Sequence, residues 1–228
     1  MNREALILLH GALGSSAQVE PLIPYLKQDF DVYTLNFSGH GGLPVPSRFS
    51  INDFTSDVVR FMDLNKLPYA HIFGFSMGGY VALKLAERTS KRTGKIMTLG
   101  TKFDWTPETA DKEKAMLNPS KIEEKVPAFA RFLLERHAPS DWKQVLHTTA
   151  GMMTALGNQP DWIAGRNTVM NEVCLMVGSL DSMVTIDETR KIADALENGS
   201  FRVLEGVLHP MEKADPSSIA GEILSFIK

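Results

Sequence analysis

Short, continuous apolar runs alternate with amphipathic stretches through the first hundred residues. Residues 5–9 read ALILL, an unbroken apolar run that is typical of a strand buried on both faces of a parallel sheet. Runs of this kind, several of them β-branched and aromatic, predict strands at 5–9, 31–36, 70–73, 96–99, 173–177 and 201–204. Strands separated by helices imply right-handed crossovers, so the pattern predicts an α/β fold with a mostly parallel sheet of about six strands.

Capping residues and helical spacing predict the helices that flank this sheet. Ser50 and Asp53 form a capping pair before an amphipathic stretch that reaches about residue 65. Residues 77–90, which follow a Gly-rich turn, are predicted to form a helix. Thr185 and Asp215 each begin a later helix. The ligand-binding loops of such a sheet lie at the carboxyl ends of its strands.

The alternation stops at residue 103 and resumes near 169. We therefore predict a core formed by residues 1–102 and 169–228, with an inserted helical cap at 103–168. Helix starts are expected at Thr106–Pro107, at a capping box of Ser120 and Glu123, and after Asp141.

The cap is rich in methionine. Met152, Met153, Met116 and Trp105 could form an adaptable apolar surface above a reactive residue. The alternative is that these residues only hold the cap helices together, as apolar residues at helical spacing usually do.

Composition narrows the class of protein. A chain of 228 residues with 43% apolar content can bury one sizeable core, and its formal charge of −3 disfavours nucleic acid or an anionic membrane as partner. The apolar run at 5–9 is shorter than a signal-peptide core or a membrane span, so we expect a cytoplasmic protein. Cys174 lies within an apolar run and is interpreted as a buried small hydrophobe.

Residues 72–82 read IFGFSMGGYVA and contain a G-x-S-x-G motif centred on Ser76. On a strand-to-helix turn this motif strains the serine backbone and exposes its hydroxyl at the sheet edge. Gly74 and Gly78 would let the turn close and the helix approach the strand. The competing interpretation is a Gly-rich turn whose serine only caps a helix.

A serine nucleophile needs a base, and the base needs an acid to orient it. His209 and Asp181 both follow predicted strands at the edge that carries Ser76, and the chain order Ser, Asp, His fits this motif. Asp104 is the competitor for the acid, because it follows the strand that ends near residue 99.

The remaining histidines are weaker candidates. His10 is expected to hold the loop after the first strand, and His40 either to support a Gly-rich turn or to touch substrate. His71 lies at the opposite sheet edge, whereas His137 and His147 are expected to pack or face solvent on cap helices.

An oxyanion that develops during acyl transfer needs donors fixed in advance. The backbone N–H groups of Ala12, in the loop after the first strand, and of Met77, directly after the nucleophile, are the candidates.

Five segments together resemble the α/β-hydrolase fold superfamily across nearly the whole chain: HGALGSS at 10–16, SGHGG at 38–42, GFSMGG at 74–79, VGSLDSMV at 177–184 and GVLHPMEKADP at 206–216. The resemblance implies a catalytic triad of Ser76, Asp181 and His209, an oxyanion hole at Ala12 and Met77, and a cap domain. Members of this superfamily often carry an Asp and an Arg before the G-H-G element, where this chain has Asn36 and Ser38, and many open with an antiparallel hairpin that is not expected here.

These features predict a serine hydrolase that cleaves an ester, lactone or thioester of a small to medium acyl substrate and needs no cofactor or metal. Carbon–carbon bond hydrolysis, acyl transfer, perhydrolysis and lyase chemistry use the same triad and are alternatives within the resemblance. A non-catalytic ligand-binding protein on this scaffold is the hypothesis from another class. Neither the natural substrate nor the oligomeric state follows from the sequence.

Overall fold

The computed structural model describes residues 3–159 and 168–228. In these residues, six strands form a sheet in the order β2-β1-β3-β4-β5-β6, and every neighbouring pair is parallel. The strands are β1 (Glu4–Leu9), β2 (Phe30–Thr34), β3 (Ala70–Phe75), β4 (Thr93–Leu99), β5 (Val173–Gly178) and β6 (Gly199–Leu204). The predicted α/β fold with a parallel sheet is confirmed.

The apolar runs form central strands because both faces of the sheet are covered. Every residue of β3 and of β5 is buried. Along β1, Ile7 and Leu9 belong to one apolar cluster, whereas Leu6 and Leu8 belong to the cluster on the opposite face. Alternate side chains of one strand therefore support two layers of helices.

The helices flank the sheet and fill the insertion. They are α1 (Ile23–Leu26), α2 (Ile51–Leu64), α3 (Met77–Thr89), α4 (Pro107–Ala115), α5 (Pro119–Lys125), α6 (Pro127–His137), α7 (Trp142–Gly157), α8 (Ile186–Ala195) and α9 (Pro216–Ile227). The side chains of Ser50, Thr106, Thr185 and Asp215 cap the helices that follow them, as the sequence predicts. None of the helices in the described residues is both long and apolar enough to cross a bilayer.

One predicted helix start is wrong. The capping box of Ser120 and Glu123 does not form, because α5 begins at Pro119, directly after its N-cap Asn118, whose side chain accepts a hydrogen bond from Lys121 N at 3.0 Å. Pro119 occupies the first turn, where its fixed φ favours a helix and its missing N–H costs nothing.

The insertion lies between β4 and β5. Its described residues form α4 to α7 and contain no strand, and residues 160–167 of the predicted cap lie outside the described part. α4 packs against α7, and α5 against α6.

The strand order reverses beside β1. The chain moves from β1 outward to β2 and then returns to β3 on the other side of β1, so the loops leaving β1 and β3 diverge at their carboxyl ends. A crevice at such a switch point is where open α/β sheets bind ligands. The loop after β1 contains Ala12, and the turn after β3 contains Ser76.

Two glycines allow the β3–α3 turn to close. A Cβ atom at Gly74 would lie 2.4 Å from Gly78 O, and one at Gly78 would lie 2.5 Å from Leu9 O. Both contacts are with backbone, which cannot move aside as a flexible side chain can. The prediction that these positions need glycine is consistent with this packing.

Candidate active site

Ser76 has an uncommon backbone conformation, with φ 50° and ψ −116°. A non-glycine residue at positive φ typically costs about 1–3 kcal/mol and persists only where its surroundings hold it. Ser76 N donates to Leu99 O at 2.8 Å, and Thr101 Oγ1 donates to Ser76 O at 3.0 Å. Contacts with the end of β4 therefore hold the serine in this turn.

His209 and Asp181 form a hydrogen-bonded pair. Nδ1 of His209 lies 2.8 Å from Asp181 Oδ2, and their side chains are 11% and 2% exposed. The other carboxylate oxygen, Oδ1, accepts from Met183 N at 2.8 Å and Val184 N at 2.9 Å. Since Nδ1 faces the carboxylate, Nε2 is the ring nitrogen available to another group.

The Asp181 carboxyl is suited to remain ionised. Burial alone would raise its pKa, but the hydrogen bond and charge of His209, together with the N–H groups of Val184 and Met183, leave the pKa below its usual value. Asp104, the alternative acid, is exposed, and its backbone N–H donates to Glu188 Oε1 at 2.6 Å. The geometry thus pairs His209 with Asp181.

The two candidate oxyanion donors lie beside the serine. Met77 is the first residue of α3, where the helix dipole favours negative charge, and Ala12 lies in the loop after β1. Ala12, Ser76, Met77 and His209 all line one cavity. Within residues 3–159 and 168–228, neither Ala12 N nor Met77 N has a hydrogen-bond acceptor. Both donors can therefore bind an oxygen.

His10 supports the loop instead of transferring protons. Its Nδ1 donates to Gly11 O at 2.8 Å, and its Nε2 accepts from Phe37 N at 3.2 Å. Burial lowers the pKa of His10 to about 3, although the bond to Gly11 opposes the shift. The ring is neutral at pH 7 with both nitrogens engaged, which agrees with its predicted structural role.

Three buried histidines form a connected group. The ring centroid of His40 lies 5.2 Å from that of His10 and 5.9 Å from that of His137. Burial lowers the pKa of His137 to about 4 and that of His40 well below its usual value. All three side chains are therefore neutral in the folded protein near pH 7.

This group should make the fold acid-sensitive. A histidine with a folded pKa below its unfolded value of about 6.5 stabilises the fold fully above pH 6.5, and that stability is lost as the pH falls toward the folded pKa. Between pH 8 and pH 5 we expect His10 alone to lower the free energy of unfolding by about 2 kcal/mol. Urea unfolding at the two pH values measures the change.

A matched pair of variants isolates the histidine contribution. His40→Phe should reduce the loss of stability between pH 8 and pH 5, since burial lowers the pKa of His40 well below its usual value. His147→Phe, at an exposed position of α7, should leave the loss unchanged. An equal loss in wild type and His40→Phe would contradict the assignment.

The other histidines have structural contacts. His40 is fully buried and is not among the residues that line the cavity, which favours a role in the turn over contact with substrate. His71 pairs with Glu4 at 3.3 Å at the far sheet edge. His137, expected to pack or face solvent, is fully buried and connects α6 to the loop after β1: its Nε2 lies 3.2 Å from Leu13 O.

The cavity above Ser76 has a volume of about 340 Å³ and is mostly apolar. Its lining includes all four cap residues that were candidates either for a cavity surface or for packing between cap helices: Trp105, Met116, Met152 and Met153. Trp105, Met152 and Met153 also belong to a buried apolar cluster, so they pack the cap and shape the cavity together. Further apolar lining comes from Leu13, Ile51, Phe75, Tyr80, Leu117, Phe129, Phe132, Leu156 and Val184.

A polar network that sequence reasoning missed supports the loop after β1. Gln18 Oε1 accepts from Gly11 N at 2.9 Å, and Gln18 Nε2 donates to Glu212 Oε1 at 2.9 Å. Arg136 of α6 pairs with Glu212 at 3.1 Å and donates to Leu13 O at 3.3 Å. The network thus joins this loop, a cap helix and the segment after His209.

Asn36 and Ser38 support the loops around the site, although many members of the superfamily have Asp and Arg before the G-H-G element. Asn36 Oδ1 accepts from Ser16 N at 2.6 Å, which joins the loops after β1 and β2. Ser38 N donates to Asp57 Oδ2 at 2.8 Å, and Ser38 Oγ donates to Asp57 Oδ1 at 2.9 Å. Both loops are held without the residues that the superfamily often uses.

Comparison with known proteins identifies the family. A family model described as the α/β-hydrolase fold matches residues 4–120, just over half of the chain. The chain belongs to the α/β-hydrolase fold family. As a member of this family it is a hydrolase, which agrees with the resemblance seen in its motifs.

Individual relatives of this α/β-hydrolase have several activities in their names. A Caulobacter segnis protein to which carbamate hydrolase activity is ascribed, RutD, is 26% identical over 99% of this chain and 92% of its own. A pimeloyl-[acyl-carrier protein] methyl ester esterase of Aromatoleum aromaticum is 40% identical over 48% of this chain and 43% of its own. The enol-lactonase of Burkholderia xenovorans LB400 has the same fold, with a TM-score of 0.80 and 19% identity over 99% of this chain and 92% of its own.

Proposed function

We propose that this α/β-hydrolase cleaves an ester, lactone or thioester of a small to medium acyl substrate through an acyl-enzyme. The observation that carries the proposal is the shared placement of Ser76 and His209. Both line one cavity, and His209 Nδ1 is bonded to a buried carboxylate. A strained serine, an oriented imidazole and unpaired backbone donors at one site are the parts that acyl transfer needs.

The steps follow from these positions. Ser76 Oγ attacks the carbonyl carbon while His209 Nε2 takes the hydroxyl proton, and Asp181 stabilises the imidazolium. The N–H groups of Ala12 and Met77 bind the oxyanion. His209 then protonates the leaving alcohol or thiol, which leaves an acyl-serine. Water attacks this ester with His209 as base, and the acid departs as Ser76 regains its proton.

We also infer that residues 103–168 act as a cap and select the acyl group. The helices α6 and α7 and the turn after α4, at Met116 and Leu117, contribute apolar side chains to the cavity wall. A cavity of about 340 Å³ with a mostly apolar lining favours a small to medium acyl chain over a polymer. The proposed partner is accordingly a small molecule, and no nucleic acid or membrane is required.

The relatives indicate which bonds to test. Their names include a methyl ester esterase, a carbamate hydrolase and an enol-lactonase, and the parts proposed here suit each of these carbonyl substrates. A screen should therefore combine p-nitrophenyl esters of graded length with lactones, carbamates and acyl-CoA thioesters. Analysis of the products separates hydrolysis from transfer to another acceptor.

Labelling with a fluorophosphonate tests the proposal directly. We expect one equivalent of probe to react with the wild-type protein and to be found on the tryptic peptide that contains Ser76. Hydrolysis of at least one ester in the screen should then be inhibited in proportion to labelling. A protein that is not labelled, hydrolyses nothing and still binds a ligand tightly would be a receptor on this fold.

A further inference from the structure

A buried ion pair lies in the cavity wall away from the proposed catalytic residues. Glu113, on α4, and Lys102, in the segment after β4, both line the cavity, and their side chains are 4% and 17% exposed. Lys102 Nζ lies 3.5 Å from Glu113 Oε1, beyond ordinary hydrogen-bond length for a charged pair. The two charges are thus close, but their hydrogen-bonding capacity is largely unused.

Glu113 has an unusual deficit of hydrogen bonds. An ionised carboxylate offers about four acceptor positions. Yet, in the parts of the chain that the structure describes, Glu113 Oε2 is buried without a hydrogen-bond partner. Burying a charged oxygen in this way is costly, and the cost is normally offset by a donor. No role in the proposed acyl transfer explains why a carboxylate is kept here.

Lys102 is held in place and retains donor capacity. Its Nζ donates to Met183 O at 2.9 Å, and a lysine ammonium has three N–H groups. Met183 N in turn donates to Asp181 Oδ1, so Lys102 is anchored to the loop of the proposed catalytic acid. This anchor fixes the pair relative to Asp181 and His209.

We propose that Lys102 and Glu113 form a specificity subsite that binds a neutral hydroxyl or amide group on the substrate. A neutral group suits the site because the formal charges of the two side chains cancel. After a rotation about the last side-chain bond of Glu113 turns Oε2 toward the cavity, a hydroxyl or primary amide can donate to this oxygen and accept from Lys102, which satisfies both partners at once. The subsite rests on the proposed hydrolase function for its role, but the binding it predicts does not require turnover.

The surrounding surface explains how such a group would be selected. Met116, Leu117, Met152 and Met153 are apolar and line the same cavity. An acyl chain without a polar group can pack there but leaves the carboxylate unpaired, whereas a suitably placed hydroxyl removes that penalty. A site that is built to bond a hydroxyl discriminates strongly against the analogue that lacks it.

The experiment compares p-nitrophenyl octanoate with the 6-, 7- and 8-hydroxyoctanoates. For each protein we take the ratio of kcat/KM for the best hydroxylated ester to that for octanoate. We expect a ratio of about ten to a hundred for wild type and about one for Glu113→Met, because a bond to a charged acceptor is lost. Glu113→Gln keeps the volume and one acceptor, so its ratio should fall between these values.

A matched control and a binding measurement complete the test. Glu124→Met removes an exposed glutamate of the neighbouring helix α5 and should keep the wild-type ratio. Calorimetric binding of the free acids, octanoate against the hydroxyoctanoates, gives the same comparison without turnover. A binding preference that Glu113→Met abolishes supports the subsite even where probe labelling and hydrolysis fail. Absence of any preference in wild type, or an undiminished preference in both Glu113 variants, would overturn it.

Discussion

Replacing Ser76 with alanine should lower kcat by about 10⁴-fold to 10⁶-fold while KM changes little. The hydroxyl supplies the new bond to the acyl carbon, so its removal abolishes the acyl-enzyme route instead of weakening one contact. The cavity walls that bind the acyl chain are unaffected by the change. Initial-rate kinetics on the best ester of the screen measure the loss, and intact-protein mass spectrometry should detect no acyl adduct.

The fold should tolerate this substitution. Alanine at position 76 keeps a Cβ atom and therefore the same cost of the positive φ, and the backbone bonds to Leu99 and Thr101 do not involve the hydroxyl. The thermal unfolding midpoint should stay within a few degrees of wild type. Ser56→Ala, on the outer part of α2, provides the control and should keep full activity. Retention of more than about one hundredth of the activity by Ser76→Ala would exclude this serine as nucleophile.

The parts of the fold that the sequence predicts best are those with strong local signals. The apolar run at 5–9 predicts a strand and β1 runs Glu4–Leu9, because a short apolar run with a glycine just after it is typical of a strand covered on both faces. The turn at Ser76 is equally predictable, because the G-x-S-x-G motif marks it; Gly74 is needed for contact with the nearby backbone of Gly78, whereas Gly78 is needed for contact with Leu9 of a distant strand. The hydrophobic periodicity and turn residues of about ten consecutive positions are enough to predict such features.

Contacts between distant segments are not encoded locally. Gln18 and Glu212 are 194 positions apart, and neither belongs to a motif that predicts their hydrogen bond. Their meeting depends on how the loops after β1 and β6 converge with α6, which only the tertiary structure determines. The same holds for the predicted cap at 103–168. The missing strand pattern predicts an insertion, but only the packing of its helices determines which of its residues reach the cavity.

Glu113 is an intermediate case. The sequence of α4, PETADKEKA, is strongly charged and suggests a solvated helix. Ala110, Glu113 and Leu117 nevertheless follow helical spacing on one face, and Ala110 is buried. A charged residue within an apolar stripe is a signal for a buried functional group, although its partner Lys102 cannot be inferred from spacing.

The start of α5 shows competing local signals for a helix start, since Asn118 and Pro119 prevail over Ser120.

Asp181→Asn should lower the acylation rate by about 10⁴-fold, whereas Asp104→Asn should leave it unchanged. An asparagine can present its N–H₂ group toward His209 Nδ1, which would favour the imidazole tautomer with its proton on Nε2. That nitrogen could then no longer accept the proton of Ser76. The neutral side chain would also fail to stabilise the imidazolium that forms during attack.

Stopped-flow measurement of the p-nitrophenol burst reports acylation separately from deacylation. Asp181 makes its contacts with His209, Met183 and Val184, so asparagine can retain part of this set and the variant should fold. Asp104 is exposed, and its backbone contact with Glu188 does not depend on its side chain. A large loss in Asp104→Asn together with a normal burst in Asp181→Asn would move the acid to the segment after β4. Because the 2.8 Å bond joins His209 to Asp181, we expect the loss at position 181.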